Sequence, residues 1–573
     1  MKRISWLIIS LVIVFSVVLA ACQPALEKAP PTKEVVAPTA ELVVAPTADL
    51  VVAPTAELVV AAIKEGPCPQ MGGTFTIATD SMITFDPLTM ASDWGYYVAT
   101  NMFSMLFRIE SGQPVPDLAE SWDITEGGKV YTWQLRKGMY WHDGNEVFPE
   151  GKSREVVADD VVYSIMRSIN DEGSMVPADL RQVFVSIEAV DKYTVVLTLN
   201  NPDAIIYDKA RGLTMSPIIP KEAVEKWGEE FGLHPVGSGP FEFVSYSPDE
   251  EVVLKANEDY YIKQCVDNVI FKVIADVPAG MIALEAGDID WWGAVLPGAD
   301  YDRFATIKDI VIINFGCPVE TRTTWTIDKP PFDNIKFREA LVHMIDADAV
   351  NSALRGGTAI GNTGGTAGPG VAGYVEGLRE MFMAYDPELS KKLLDDIGIV
   401  DTNADGFREF KGKELVIPLI AGNSDPTPDY VAAVVDAAKK IGLKIDPQIM
   451  DFGASEAKRN EGVFGMYMEA GWCGEGGTNS LWGENGFAKP LGYKDDQIFK
   501  WLTQAAIEMD EPTRQEVLEN ATKRMHELRW LVSWGHFNIF TAKRSYVKDF
   551  FGGEWTLNLV TDDHNLWIAE DER

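Results

Sequence analysis

The sequence is poor in the residues and motifs that many enzymes and metal proteins use for chemistry. It has six histidines in 573 residues, and none of them stands at a spacing typical of metal ligands. Neither H-E-x-x-H nor G-x-S-x-G occurs, so the sequence has neither the helix motif of zinc proteases nor the nucleophile elbow of α/β-hydrolases. Paired carboxylates for glycosidase chemistry stay open, because 86 acidic residues supply pairs that no pattern singles out. We predict a protein that is not an enzyme, with no catalytic residue, cofactor or metal centre.

Positive charge and long apolar runs are also scarce. Lysine and arginine together number 50 against 86 acidic residues, which gives a net charge of -36. A charge of this sign repels nucleic acid and favours solubility. After residue 22 no apolar run is long enough to cross a bilayer. A role in nucleic-acid binding is therefore excluded, and the body of the chain is expected to be soluble.

The amino terminus carries the pattern of an export signal. A basic start precedes an apolar segment, residues 4–21, that ends in small residues. The stretch "LAAC" (residues 19–22) resembles the lipobox of bacterial lipoproteins, in which the signal is cleaved before a cysteine that becomes lipidated. A membrane-spanning anchor is the alternative. We predict a signal peptide over residues 1–21, lipidation of Cys22 and an exported body.

Only four cysteines remain besides Cys22, and they are Cys68, Cys265, Cys317 and Cys473. None of them forms the close C-x-x-C pair of a zinc or redox site. Four widely spaced cysteines in an oxidising compartment predict two disulfides, with three possible connectivities. Free buried thiols are the alternative.

A proline-rich repeat follows the lipidated position. Pro38, Pro46 and Pro54 recur every eight residues within "VVAPTA" units. Proline at this density interrupts helices and pairs poorly in sheets. A solenoid would need more copies and less proline, so the segment is expected to be an extended spacer over residues 22–67.

The remaining chain of more than 500 residues mixes strand and helix patterns. It exceeds what one hydrophobic core usually serves, so two or three lobes are expected. The stretches "GGTFTIATD", "YTVVLTLN" and "NVIFKVIAD" read as strands. "ADDVVYSIMRSI", with Asp159 as its expected cap, and "FDNIKFREALVHMI" read as amphipathic helices. In the later half, a strand at "ELVIPLI", a helix from Pro428 to Gly442 and a strand at "LKIDPQIM" predict a βαβ unit. The fold class is α/β with mixed sheets.

One acidic loop resembles the start of a calcium site. In "DTNADG" the residues Asp401, Asn403 and Asp405 alternate as in an EF-hand loop, but the twelfth position is Gly412 where a glutamate should stand. A capped turn is the favoured interpretation, and calcium is kept as the weaker one.

Aromatic residues are plentiful, with sixteen tryptophans. Flat aromatic faces suit sugar rings, peptide side chains and other partly apolar ligands. A role in the hydrophobic core is the alternative for each of them. The candidates in polar or glycine-broken contexts are Trp94 and Tyr97 in "SDWGYY", the pair Trp291 and Trp292 after "GDID", and Trp472 and Trp482 in "EAGWCGEGGTNSLWG".

Taken together, seven stretches resemble the family 5 solute-binding proteins of bacterial ABC transporters, the peptide- and oligopeptide-binding group. The resemblance covers nearly all of the chain past residue 70, in family order. The matching stretches are "PDLAESW" (116–122), "YTWQLRKGMYWHDG" (131–144), "ADDVVYSIMR" (158–167), "HPVGSGPFEF" (234–243), "LKANEDYY" (254–261), "ALEAGDID" (283–290) and "KPPFDNIKFREAL" (329–341).

The resemblance implies a type II (cluster C) periplasmic-binding-protein-like fold with three lobes and hinged closure. Lobes I and III would close on the ligand, and ligand contacts to both would favour the closed form. The implied segments are lobe I in three parts (68–107, 233–317 and 533–573), lobe II inserted at 108–232, and lobe III at 318–532.

The resemblance also implies site residues in the "GWCGE" stretch. Glu475 occupies the place of the acid that pairs a peptide ammonium, and Trp472 lies beside the ligand. It further pairs Cys317 with Cys473, and Cys68 with Cys265. A solvated loop acid is the alternative for Glu475. Two departures, a Glu in place of the usual Asp and "GGTNS" without the Asp-Pro motif, weaken the peptide assignment.

We therefore expect a monomeric, lipid-anchored binding protein on the outer face of the cell membrane or in the periplasm. It would capture a peptide or oligopeptide and deliver it to ABC permease subunits. An oligosaccharide or another solute in the same role is the alternative, because abundant tryptophan suits sugars equally well. A chemosensory binding protein and a hydrolase are further alternatives.

Overall fold

The computed structural model describes residues 68–573 with short gaps. The chain divides into two units, Met1–Glu57 and Leu58–Arg573, and every described residue belongs to the second. The expected signal peptide, lipidated Cys22 and spacer lie outside the described residues. Within the described part, no helix is both long and apolar enough to cross a membrane. The gaps are 80–84, 89–92, 111–112, 171–180, 182, 205, 207–216, 294–295, 315–318, 361–364, 424–426, 471–477, 479–480, 485, 550 and 554–555.

Strands and helices alternate irregularly along the chain. The strands are β1 (Thr74–Thr79), β2 (Phe107–Glu110), β3 (Gln113–Pro116), β4 (Ala119–Thr125), β5 (Val130–Leu135), β6 (Phe184–Asp191), β7 (Thr194–Leu199), β8 (Phe241–Ser247), β9 (Glu251–Ala256), β10 (Asn268–Val273), β11 (Trp291–Trp292), β12 (Ile310–Asn314), β13 (Val319–Trp325), β14 (Ala359–Ile360), β15 (Glu409–Phe410), β16 (Lys413–Glu414), β17 (Val416–Gly422), β18 (Lys444–Met450), β19 (Met466–Ala470), β20 (Leu531–Phe537), β21 (Phe540–Arg544), β22 (Val547–Lys548), β23 (Phe551–Gly553), β24 (Thr556–Asn558) and β25 (Trp567–Ile568). The α-helices are α1 (Asp93–Met102), α2 (Ala158–Asn170), α3 (Lys221–Trp227), α4 (Val277–Ala286), α5 (Gly298–Phe304), α6 (Ile335–His343), α7 (Ala347–Arg355), α8 (Leu378–Phe382), α9 (Pro387–Asp396), α10 (Thr427–Lys440), α11 (Phe452–Asn460), α12 (Asp496–Ile507) and α13 (Glu511–Glu527).

The largest sheet has seven strands in the order β12-β21-β11-β1-β10-β9-β8. Strand β1 pairs in parallel with β10 and β11, and the other pairs of this sheet are antiparallel. Alternate residues of β1 enter different cores: Phe75 and Ile77 belong to the largest core, and Ala78 to a smaller one with Trp292. Both faces of this sheet are therefore covered, as is usual where parallel pairing occurs.

A second sheet is antiparallel, with the order β4-β5-β7-β6. Its side chains join the same largest core, together with those of α2. The predicted helix at "ADDVVYSIMRSI" is confirmed, but the prediction that Asp159 caps it is wrong. The helix begins one residue earlier. The neighbouring Asp160 accepts a hydrogen bond from the Val157 backbone N–H and pairs with Arg154, at 2.7 Å between Nη2 and Oδ1.

The third sheet has six strands in the order β14-β20-β13-β19-β17-β18. Strands β17 and β18 are parallel and are joined by α10, which confirms the predicted βαβ unit. The helix predicted at "FDNIKFREALVHMI" is α6. Asn334 caps it by accepting from the Lys336 backbone N–H, and Phe337 and Leu341 are fully buried. These outcomes confirm the α/β class with mixed sheets.

In the described part of the chain, the backbone passes between the seven-stranded and six-stranded sheets at two points. One passage joins the end of β12 at Asn314 to the start of β13 at Val319, and the other leads from β20 to β21 through Asn538 and Ile539. The passages are neighbours, because β13 pairs with β20 in one sheet and β12 with β21 in the other. Two adjacent connections of this kind are the geometry of a hinge.

A buried ion pair connects the "PDLAESW" stretch to its surroundings. Asp117 is fully buried. Its Oδ2 lies 3.1 Å from the Arg108 Nε and accepts a hydrogen bond from the Met105 backbone N–H at 2.8 Å. Its Oδ1 accepts from the Tyr260 hydroxyl at 2.9 Å. Burial alone would lower the pKa of Arg108, but the charge of Asp117 and the neighbouring Tyr260 outweigh it and raise that pKa.

The first described residues are tied to the seven-stranded sheet. Cys68 and Cys265 form a disulfide, the pair that the family resemblance implied. The Gly72 backbone N–H donates to the Cys265 carbonyl at 2.8 Å, and the Cys265 N–H donates to the Asn565 side chain at 3.2 Å. The segment entering the folded body is thus held by the loop before β10 and by the carboxyl-terminal segment.

Candidate ligand-binding site

The two strand passages mark where a ligand could contact both sheets. Val319 at the start of β13, Phe537 at the end of β20 and Ile539 all belong to the largest core, which also holds side chains of β1 and β11. The ends of β13 and β20 therefore lie where the two sheets meet.

The loop singled out in the sequence begins beside this junction. Thr321 of β13 pairs with Ala470, the last residue of β19. From Ala470 the chain enters residues 471–477, and from Val319 it leads back into residues 315–318. Trp472, Cys473, Glu475 and Cys317 lie outside the described residues. Their predicted roles in ligand contact and disulfide pairing remain predictions.

The other aromatic candidates are packed against protein. Tyr97 and Trp291 are 1% and 0% exposed, their ring centroids are 5.9 Å apart, and the Trp291 Nε1 donates to the Thr541 hydroxyl at 3.0 Å. Trp482 packs against Tyr493 and Trp530 in a separate core. In the described structure Tyr97, Trp291 and Trp482 therefore have packing roles. Trp94 lies in α1, and its side chain is not among those described.

The structure reveals a row of charged side chains that the sequence analysis missed. We call it the ion ladder, and it begins at Glu320, whose Oε2 accepts from the Arg322 Nη1 at 3.0 Å. The Arg322 Nε lies 3.6 Å from Glu469, and Glu469 is 3.1 Å from the Arg459 Nη1. Arg459 also pairs with Glu456 of α11. The ladder thus crosses from β13 to β19 and on to α11. The signal available in the sequence was the pair of opposite charges two residues apart in "VETRTTW", which places both on one face of a strand.

Burial controls the electrostatics of the ladder. Glu320 and Arg322 are 1% and 3% exposed as side chains. Burial raises the pKa of Glu320, although Arg322 and Ser533 act in the opposite direction. Burial likewise raises the pKa of Glu456, against the charge of Arg459. Charges held in such surroundings interact strongly because little water screens them.

Three buried histidines, His142, His526 and His536, have lowered pKa values that keep them neutral near pH 7. His536 pairs with Glu320 across β13 and β20, and burial together with the charges of Arg379 and Arg322 lowers its pKa to about 3. Burial and the charges of Arg529 and Arg379 lower the pKa of His526 to about 3. Burial lowers that of His142 to about 4, although its Nε2 lies 3.0 Å from the Gly239 carbonyl.

We expect these histidines to make the protein sensitive to acid. Unfolded histidine has a pKa near 6.5, so below that pH the unfolded chain binds protons that the folded chain excludes. As the pH is lowered from about 6.5 to about 4, the free energy of unfolding should therefore fall by about 1.4 kcal/mol per pH unit for each histidine. The raised pKa of Glu320 acts in the opposite direction at the acid end of this range. Urea unfolding of the full chain at pH 7.5, 6.0 and 5.0 measures the slope.

His142→Gln should reduce that slope by about one histidine's share, because the glutamine Nε2 can still donate to Gly239 without titrating. An unfolding free energy independent of pH from 7.5 to 5.0 would contradict the prediction.

The acidic "DTNADG" loop closes largely on itself. Asp401 accepts from the backbone N–H groups of Ala404 and Gly406, and Asp405 accepts from that of Phe407. The Asp401, Asp405 and Glu409 carboxylates each bring one oxygen into a group within 4.8 Å. The internal hydrogen bonds account for the loop as a capped turn. Calcium stays an untested alternative.

Comparison with known proteins places the chain among solute-binding proteins. The sequence profile described as "Bacterial extracellular solute-binding proteins, family 5 Middle" matches residues 113–483. The dipeptide-binding protein of Escherichia coli is 26% identical over 471 residues, which is 78% of this chain and 85% of the relative. Heme-binding protein A of Haemophilus influenzae is 28% identical over 429 residues, 70% of this chain and 75% of the relative.

A solved structure shares the fold. The periplasmic binding protein DppA of Helicobacter pylori, solved in complex with the peptide STSA, superposes with a TM-score of 0.72 at 22% identity, over 87% of this chain and 99% of that one. These relatives are named as binding proteins, in agreement with the expectation that the chain is not an enzyme. The profile covers well over half of the sequence, and the chain therefore belongs to the family 5 bacterial extracellular solute-binding proteins.

Proposed function

We propose that this protein is the binding lipoprotein of an ABC importer that captures an extracellular peptide. The ligand would lie between the seven-stranded sheet, as lobe I, and the six-stranded sheet, as lobe III, with the second sheet in the inserted lobe II. The observation that carries the proposal is the pair of adjacent strand passages between two sheets in a chain of this family. Ligand contacts to both sheets would favour a closed form that permease subunits bind.

The membrane connection in this proposal is Cys22. Lipidation there would hold the protein at the membrane, with the proline-rich spacer leading to Cys68. The disulfide to Cys265 supports this arrangement, because it fixes the point where the spacer enters the body. The protein would act as a monomer on the outer face of the cell membrane or in the periplasm.

The loop after β19 would hold the peptide amino terminus. Glu475 would pair with the ammonium group, Trp472 would lie beside the peptide, and a Cys317–Cys473 disulfide would hold the loop. The pairing of Thr321 with Ala470 supports this disulfide, because Cys317 comes shortly before the start of β13 and Cys473 shortly after the neighbouring end of β19. The net charge of -36 also favours ligands that carry a positive group.

The test is direct identification of the ligand. We expect the full chain, purified in detergent, to retain intact peptides from a pool of tri- to pentapeptides in native mass spectrometry. Glu475→Gln should weaken binding of the tightest peptide by about tenfold or more, because a charge-assisted hydrogen bond is lost. Isothermal titration calorimetry measures this affinity.

Matched controls define the other outcomes. Glu484→Gln changes another acid of the same region and should leave the affinity unchanged. Retention of oligosaccharides in place of peptides would support the alternative ligand class, and shortened peptides would identify a hydrolase. Unchanged affinity in Glu475→Gln would remove that residue from the site.

A further inference from the structure

The end of α12 and the turn that follows it contact the four-stranded sheet β4-β5-β7-β6 in two ways. The Ala204 backbone N–H, shortly after β7, donates to the Ala506 carbonyl in the last turn of α12 at 2.9 Å. The Met509 thioether packs on the turn between β4 and β5, where a Cβ at Gly128 would lie 2.9 Å from the Met509 Sδ and 3.2 Å from the Pro202 Cβ. We call the Ala204–Ala506 hydrogen bond and the Met509–Gly128 contact the latch.

Both contacts of the latch have a simple chemical basis. The last four carbonyls of a helix have no partner within the helix. Ala506 is the second-last residue of α12, so its oxygen can accept from the Ala204 N–H. Gly128 has a φ of +95° and no side chain, which leaves room for the Met509 thioether.

The latch joins two parts of the body that have separate cores. On one side, Tyr131 of β5 lies in the largest core together with Ile77 of the seven-stranded sheet. The Tyr131 hydroxyl also donates to the Asp203 carbonyl at 3.2 Å, which holds the residue before Ala204 on the four-stranded sheet. On the other side, Leu502 of α12 lies in a different core with Tyr467 of the six-stranded sheet. The four-stranded sheet is therefore packed with the seven-stranded sheet, and α12 with the six-stranded sheet.

A rotation at the two strand passages must open the latch. The passages join the seven-stranded and six-stranded sheets between Asn314 and Val319 and through Asn538 and Ile539, and the latch residues lie in neither. Parts that share a packed core move as units when a hinge opens, so the four-stranded sheet and α12 would separate. A displacement of about 1 Å would already break the hydrogen bond of the latch, because N–H···O bonds extend to about 3.2 Å.

We infer that the latch closes together with the ligand-bound form and holds that form shut at a second place besides the ligand. The inference rests on the proposed function and deepens it by naming a conformational device. Met509 is 44% exposed, so its contact buries little surface and stays reversible. A contact made only in the closed form raises the population of that form. The apparent affinity for the ligand rises by the same factor while the closed form is the minor one.

The experiment follows the Ala204 amide and the ligand affinity in the same protein. Hydrogen–deuterium exchange of the full chain in detergent, read by fragment mass spectrometry, is compared with and without the tightest peptide of the tri- to pentapeptide pool. We expect the peptide to slow exchange of the Ala204 amide by about tenfold or more, because its hydrogen bond forms in the closed form. Met509→Ala should weaken the peptide affinity by about threefold or more, mostly through faster dissociation.

Two variants separate the latch from other roles of a methionine. Met509→Leu keeps an apolar side chain of similar volume and should bind the peptide within about twofold of wild type. Met381→Ala removes another exposed methionine, on α8, and should change neither the affinity nor the exchange of the Ala204 amide. Met509→Ala without ligand should keep the wild-type Tm to within about 2 °C, because the side chain it shortens is an exposed one.

The outcomes distinguish the latch from the proposed function. An Ala204 amide that exchanges equally with and without bound peptide would show a permanent contact and overturn the inference alone. Wild-type affinity in Met509→Ala would overturn the inference alone as well. Wild-type protein that retains no peptide would overturn the proposed function and this inference with it.

Discussion

Replacing Asp117 with alanine is expected to lower the free energy of unfolding by about 3–5 kcal/mol, because breaking a buried ion pair leaves an uncompensated charge. Arg108 would remain in the core with a side chain only 2% exposed. The Met105 N–H and the Tyr260 hydroxyl would lose their acceptor as well. Urea denaturation of the full chain, followed by circular dichroism, measures the loss.

Two variants separate the charge from the packing. Asp123→Ala alters an exposed acid of β4, the strand that follows Asp117, and should stay within about 0.5 kcal/mol of wild type. Combining Asp117→Leu with Arg108→Met removes both charges, so it should recover much of the stability that Asp117→Ala loses. A double variant that is no more stable than the single one would show that the lost hydrogen bonds of the Met105 N–H and the Tyr260 hydroxyl, not the unpaired charge, dominate.

Gly237→Ala in the "HPVGSGPF" stretch is expected to destabilise the protein by at least about 3 kcal/mol, at or beyond the usual range for overpacking. A Cβ at this position would lie 2.0 Å from the Met102 carbonyl oxygen and 3.2 Å from the His142 ring. Backbone must therefore move, and the Gly239 N–H would lose its 3.0 Å hydrogen bond to the same Met102 oxygen. Thermal denaturation should show a large drop in Tm.

Gly453→Ala is the matched control for added volume. The nearest atom to its new Cβ is the Asp451 Oδ1 at 3.4 Å, and Gly453 lies within α11. Alanine has the higher helix propensity, so this variant should be neutral or stabilising by up to about 1 kcal/mol. A Tm for Gly237→Ala equal to that of Gly453→Ala would contradict the predicted clash.

Much of the fold was predictable because local patterns were strong. The βαβ unit followed from an apolar run, Pro428 at a helix start and Gly442 at its end, and the structure has all three elements. The α6 helix was predictable for the same reason, since the apolar residues Phe337, Ala340 and Leu341 recur at helical spacing and are buried. Asp159 was misassigned as a cap because Asp160 is also an acid, and only the contact with the Val157 N–H distinguishes the two.

The candidate site was less predictable. A tryptophan in a polar, glycine-broken stretch looks the same in sequence whether it binds a ligand or fills a core. Trp291 and Trp482 are packed against protein because of how distant strands and helices meet. The ion ladder was missed because its members come from β13, β19 and α11, and no local spacing connects Glu469 with Arg322.

The sequence by itself determined the family, the α/β class and the position of individual helices and strands, because these depend on periodicity, capping residues and ordered motifs within short stretches. Only the tertiary structure decided which charges are buried together and which aromatic side chains face protein. Burial and pairing depend on contacts between residues such as Asp117 and Tyr260, which are far apart in the chain and adjacent only after folding. The energy of each charge depends on those neighbours and on the exclusion of water, and neither is encoded in any single stretch of sequence.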